Sequence, residues 1–225
     1  MATIVDNLQG VKARIARAAR AAGREPDSVT LLAVSKTHAV ERIAQAHAAG
    51  QRAFGENYVQ EALAKMDALP RLEWHLIGPL QSNKTRLAAE RFDWVQTIDR
   101  ARIANRLSEQ RPAQLPPLNV LIQVNVSGET TKSGIGVKDV TALAAEIAAL
   151  PRLRLRGLMA VPAPGANADF AKMKGLYDEL RARFGFDTLS MGMTDDMEHA
   201  IAAGATMVRI GTAIFGSRKP QRSAA

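Results

Sequence analysis

Three stretches of this 225-residue chain gather side chains able to hold or react with a small anionic molecule. Lys36 closes the apolar run Thr30-Leu31-Leu32-Ala33-Val34-Ser35. An amine at the end of such a run either snorkels to water or sits partly desolvated. Desolvation disfavours the ammonium and supplies the neutral nucleophile that condenses with a carbonyl to a Schiff base. Ser190-Met191-Gly192-Met193-Thr194-Asp195-Asp196 ends one strand and opens a helix. Ser190 and Thr194 offer hydroxyls, Gly192 permits close backbone approach, and a helix N-terminus favours an anion. The same stretch reads equally as capping alone, with Asp195 and Glu198 at the spacing of a capping-box variant. In Met207-Val208-Arg209-Ile210-Gly211-Thr212, Arg209 points inward if Val208 and Ile210 pack outward. A buried guanidinium needs a partner, so either a ligand or a structural carboxylate must meet it. Gly211 and Thr212 add backbone amides and a hydroxyl.

Other signals are weaker. Asn57 ends Phe54-Gly55-Glu56-Asn57 and either reaches a ligand or caps the next helix. His75 shares a face with Ile77 and reads as a hydrogen-bonded core histidine. His38, His47, His75 and His199 lack metal-ligand spacing, so no metal site is expected. The absence of cysteine excludes disulfides, iron–sulfur clusters and thiolate nucleophiles. No serine-hydrolase elbow or Walker loop occurs, and Gly134-Ile135-Gly136 reads as a turn. A net charge of +8 raises the question of an anionic partner. The charge is spread over amphipathic segments and aromatics make up 4%, so no nucleic-acid partner is expected. No apolar run of about 18 residues is present, so no membrane span is expected. Lys12, Arg14, Arg17 and Arg20 occupy the place of a signal-peptide core, and the expected location is cytoplasmic.

The elements that must carry these residues alternate regularly. Strands are expected at 30–35, 52–55, 73–78, 94–98, 118–126, 155–161, 188–191 and 206–211. Helices are expected at 40–49, 59–68, 82–91, 100–110, 137–150, 168–184 and 196–203, with one more opening the chain. Strand and helix in alternation argue for parallel βαβ units, and about eight strands for a closed barrel. The competing open, doubly wound sheet lacks its Gly-x-Gly-x-x-Gly turn. In Leu118–Val126 the apolar alternate residues should face the helices, turning Gln123 and Asn125 inward near the mouth. The expected organisation is a single α/β domain over 1–217, a TIM (β/α)8 barrel with an additional N-terminal helix, and a frayed polar tail over 218–225.

The motifs taken together resemble the pyridoxal phosphate homeostasis protein family from about Ser28 to Ser217. They include Leu31-Leu32-Ala33-Val34-Ser35-Lys36-Thr37, Phe54-Gly55-Glu56-Asn57-Tyr58 and the run Trp74–Lys84. Gly157-Leu158-Met159-Ala160, Ser190–Asp196 and Arg209–Gly216 follow in the same order. The resemblance implies a barrel of fold type III, like the N-terminal domain of alanine racemase, with pyridoxal 5′-phosphate on Lys36 as an internal aldimine. It places the phosphate near Ser190, Thr194, Gly211 and Thr212, Arg209 beside the pyridine nitrogen, and Asn57 at the ring. Many relatives have serine at Thr194 and a lysine–proline pair at His38-Ala39. A guanidinium only donates hydrogen bonds, so Arg209 in that position keeps the ring nitrogen unprotonated and weakens the electron sink. The implied role is an intracellular carrier or store of vitamin B6, monomeric, handing the cofactor to apo-enzymes without catalysis of its own. The alternative is an amino-acid racemase or lyase. Against it, racemases of this type bring a tyrosine from an added domain, and this chain has only Tyr58 and Tyr177.

Overall fold

The structure, a computed structural model, describes residues 2–129, 132–163 and 165–216. The tail expected to fray lies outside the described residues. In chain order the elements are α1 (Ile4–Ala21), β1 (Thr30–Val34), α2 (Val40–Ala48), β2 (Ala53–Glu56), α3 (Val59–Ala68) and β3 (Glu73–Leu76). Next come α4 (Thr85–Arg91), β4 (Trp94–Ile98), α5 (Ala101–Gln110), β5 (Leu118–Asn125), β6 (Ile135–Gly136) and α6 (Val140–Ala148). The chain continues with β7 (Leu153–Met159), α7 (Asn167–Phe184), β8 (Thr188–Ser190), α8 (Met197–Ala202), β9 (Met207–Ile210) and α9 (Thr212–Phe215).

The strands β1–β5 and β7–β9 pair in parallel and in sequence, and contacts of β4 with β5 and of β9 with β1 close the barrel. The expected barrel is therefore observed. Period-two alternation sorts the side chains between two cores. Leu118, Val120, Ile122 and Val124 pack outward against the helices, as expected. Inside the barrel, Leu32, Ala53 and Met207 form one apolar group, and Trp94, Leu121 and Met159 another. Between them the interior is polar: His75, Gln96, Ser190 and Arg209 are all buried.

Helix α1 completes the outer layer. Thr3 and Asp6 form a capping box at its start. Ile4, Leu8, Val11, Ile15 and Ala19 then recur at helical spacing and are buried. It packs against α8, α9 and α2. Among the described residues the last strand is followed by the four-residue α9, too short to cover the barrel there, and α1 fills the eighth helix position.

Three expectations change. Ile135 and Gly136 form a short strand rather than a turn, parallel to Val124 and Asn125. After β5, Asn125 accepts from Gly128 N and donates to the Glu129 carbonyl. Asn125 and Gln123, which bonds the Ser133 carbonyl, thus bond backbone that follows β5 and do not line the candidate cavity. The helices expected from Ser82 and Val137 begin instead as 3-10 turns, Ser82–Lys84 and Val137–Asp139.

Candidate functional site

A cavity of about 370 Å3 opens at the C-terminal ends of the strands and brings together Lys36, Asn57, Thr194, Arg209, Gly211 and Thr212. Val34, Ile77, Val161 and Met193 supply its apolar wall. The volume falls within the range of about 300–1,000 Å3 usual for small-molecule sites. A larger recess of about 530 Å3 lies at the opposite end, where β1 and β2 begin. Its buried polar side chain, Gln51, already spends its amide on the carbonyls of Leu31 and Ala53, so that recess presents no comparable chemistry.

Lys36 sits in the turn after β1, on the inward face with Leu32 and Val34. The next residue, Thr37, holds φ at 66°, a left-handed conformation costing a non-glycine residue about 1–3 kcal/mol. Neighbouring charges over-determine that turn. Thr37 N donates to Glu61 Oε1 at 2.5 Å, and Lys65 Nζ binds the same oxygen at 2.6 Å. Lys65 also donates to Glu56 Oε1 at 2.7 Å and to the Ser35 carbonyl at 2.9 Å, while Ser35 Oγ donates to Glu56 at 2.6 Å. Burial pushes the Glu56 carboxyl above its usual pKa, against the pull of Lys65. Sequence reasoning alone misses this clamp. Its one local trace is the Glu61/Lys65 pair at i,i+4, a spacing shared by ordinary surface pairs.

Asn57 leaves β2 and borders the cavity; α3 starts after Tyr58 with no side-chain cap. Gly78 packs directly on this turn: a Cβ there would lie 2.2 Å from the Asn57 carbonyl oxygen. Thr194 follows β8. Gly192, two residues earlier, adopts φ of 95°, and a Cβ there would meet Ala200 Cβ at 2.5 Å. The capping-box reading of Asp195 and Glu198 is not realised. Helix α8 is entered from Asp196 without a side-chain cap, and Arg14 of α1 takes the Glu198 carboxylate at 2.9 Å. The long arginine outcompetes the local bond because α1 lies against α8.

Arg209 forms the inner wall of the cavity and is only 5% exposed. Nη1 donates to Ser190 Oγ and Nη2 to the Ala160 carbonyl, each at 2.8 Å. Among the described residues no carboxylate forms an ion pair with it, which removes the structural salt bridge left open by the sequence. Desolvation lowers its pKa to about 10, with Asp196 acting in the opposite sense. Ser190 itself does not line the cavity. It lies fully buried beneath, accepting from Arg209 and donating to Gln96 Oε1 at 2.7 Å.

The closed parallel barrel, with α1 completing its outer helical layer, has the fold of the alanine racemase N-terminal domain. The sequence profile of that domain family matches residues 7–219. Within this class the chain belongs to the pyridoxal phosphate homeostasis protein family. It is 59% identical over 225 residues to the family member of Pseudomonas aeruginosa, with 97% of each chain covered. Identity to the Escherichia coli K12 member is 56% over 235 residues, covering 97% of this chain and 98% of the relative. Among solved structures, PipY of Synechococcus elongatus with pyridoxal phosphate bound matches at a TM-score of 0.82 and 36% identity. That match covers 95% of this chain and all of PipY.

Proposed function

We propose that this protein binds pyridoxal 5′-phosphate covalently through Lys36 and serves as a carrier or store in vitamin B6 homeostasis without turnover of its own. The observation that carries the reading is Arg209: a desolvated guanidinium, with no carboxylate ion pair among the described residues, bordering the same cavity as the primary amine. Its two neutral acceptors, Ser190 Oγ and the Ala160 carbonyl, leave its charge uncompensated, which favours a ligand that offers a further acceptor. The cofactor supplies an aldehyde, a pyridine nitrogen and a phosphate, and the residues fit each. Lys36 Nζ would bond the aldehyde carbon with loss of water, Arg209 would donate to the ring nitrogen, and Asn57 would hold the ring. Thr194, Gly211 and Thr212 present hydroxyls and backbone to the phosphate, with Ser190 supporting Arg209 from below. The names of the curated relatives and the cofactor in PipY support the same assignment.

Arg209 also supports a non-catalytic role. A guanidinium only donates, so a ring nitrogen beside it would stay unprotonated and carbanions would be poorly stabilised. Tyr177 spends its hydroxyl on the Phe186 carbonyl, and neither tyrosine lines the cavity. On this reading residues 1–217 act as one binding domain, in the cytoplasm and as a monomer, with apo-enzymes as recipients. The test is borohydride reduction of the purified protein followed by peptide mapping. Cofactor trapped on Lys36, and a colourless Lys36→Ala variant, are expected. A yellow Lys36→Ala protein overturns the assignment.

A further inference from the structure

From Arg209 a polar chain runs beneath the cavity through Ser190, Gln96 and His75, which do not line it. Arg209 Nη1 lies 2.8 Å from Ser190 Oγ, Ser190 Oγ 2.7 Å from Gln96 Oε1, Gln96 Nε2 2.8 Å from His75 Nδ1, and His75 Nε2 2.6 Å from Glu73 Oε1. It begins on the exposed Glu73 at the start of β3 and crosses the barrel through β4 and β8 to β9. Donor and acceptor types set its direction. A guanidinium only donates, so Ser190 Oγ accepts from Arg209 and turns its own proton to Gln96 Oε1. The amide nitrogen of Gln96 then faces His75 and only donates, so His75 Nδ1 is the acceptor. The imidazole proton is thereby left on Nε2, toward the Glu73 carboxylate. Trp94 stacks on the imidazole, with ring centroids 5.0 Å apart and planes 8° from parallel, and fixes the plane of the ring.

We propose that Gln96 and His75 are positioning residues for Arg209, holding the Ser190 hydroxyl so that the guanidinium presents one fixed edge to the ring of bound pyridoxal phosphate. This rests on the proposed placement of Arg209 against that ring. A guanidinium without a carboxylate has no strong fixed anchor among the described residues. Its orientation depends on the Ala160 carbonyl and on a hydroxyl that rotates freely unless its proton is claimed. Deleting the Gln96 amide releases that proton, and the serine turns to backbone acceptors of its own strand.

Three measurements decide the matter. In 15N spectra of the purified wild-type protein, His75 should be neutral with its proton on Nε2; a proton on Nδ1 overturns the proposal without any variant being made. In Gln96→Met, which removes both ends of the amide at similar volume, exchange of the Arg209 side-chain N–H protons should accelerate by about tenfold or more. The absorption band of the cofactor-loaded variant should also shift, a readout that a merely structural glutamine leaves in place. If wild type carries no cofactor on Lys36, the functional reading fails and the positioning proposal falls with it. If wild type loads and Gln96→Met matches it in spectrum and exchange, the positioning proposal alone fails. If Gln96→Met does not fold, the His75 tautomer decides.

Discussion

Burial sets the behaviour of individual residues in and under the cavity. Arg209 keeps its charge at neutral pH, because desolvation brings its pKa to about 10 and no further. A hydrogen bond to a charged group contributes about 1.5–3 kcal/mol, so Arg209→Met should weaken retention of pyridoxal phosphate by roughly 10–100-fold in equilibrium dialysis. The same change removes a buried cation that lacks a carboxylate, so the cofactor-free protein should unfold at an equal or higher urea concentration. His75 is the complementary case. Burial lowers its pKa from the ordinary 6.5, partly offset by its bond to Glu73. Below that ordinary value the unfolded chain takes up a proton that the folded chain refuses. Stability is thus present above about pH 6.5 and is lost as pH falls toward the folded-state value. The urea midpoint should decline between about pH 7 and pH 5, and His75→Gln should flatten that decline.

At the scale of elements, the position of Lys36 depends on α3. Lys65 ties the end of β1 to Glu56 of β2 and to Glu61 of its own helix, and Glu61 holds the left-handed Thr37. Lys65 and Glu56 are both buried, so removing one partner strands the other's charge. Lys65→Met should destabilise the protein by about 3–5 kcal/mol in denaturant titration and slow cofactor attachment to Lys36 in stopped-flow absorbance. Leu replacing Glu56 in the same chain should recover much of the stability, since a paired apolar replacement leaves no orphan charge. If attachment recovers equally, the ion cluster is dispensable for orienting the turn. Helix α1 acts differently. It covers the barrel where α9 is too short, and it fastens α8 through Arg14 and Glu198.

For the whole molecule, the absence of turnover is the property to test. The chain spans 97% of the length of its Pseudomonas aeruginosa relative. Purified protein incubated with amino acids should show no racemisation or elimination. A pyridoxal-phosphate apo-enzyme mixed with the loaded protein should recover activity. Steady racemisation that Lys36→Ala abolishes would favour the enzyme alternative. Among the described residues no helix is long and apolar enough to cross a membrane.

Strand periodicity and turn chemistry make much of this legible from the residues alone. Alternation sets Lys36 on one face with Leu32 and Val34, and turns Arg209 inward if Val208 and Ile210 pack outward; the motifs identify the family. Periodicity of two tells which face a side chain takes but not how deep it lies. Ser190 is therefore expected beside the anion and is found under the floor, bonded to Arg209 and Gln96. Local spacing suggests a cap from Glu198, but a helix from the other end of the chain supplies a stronger partner. His75, Gln96 and Ser190 stand far apart along the sequence, and only closure of the barrel sets β3 and β4 across from β8 and β9. Fold class, and which strand ends carry functional groups, follow from local period and composition and so are written in the chain itself. Which of those groups meet is settled by three-dimensional closure, because hydrogen bonding acts over about 3 Å and depends on how distant strands are brought together.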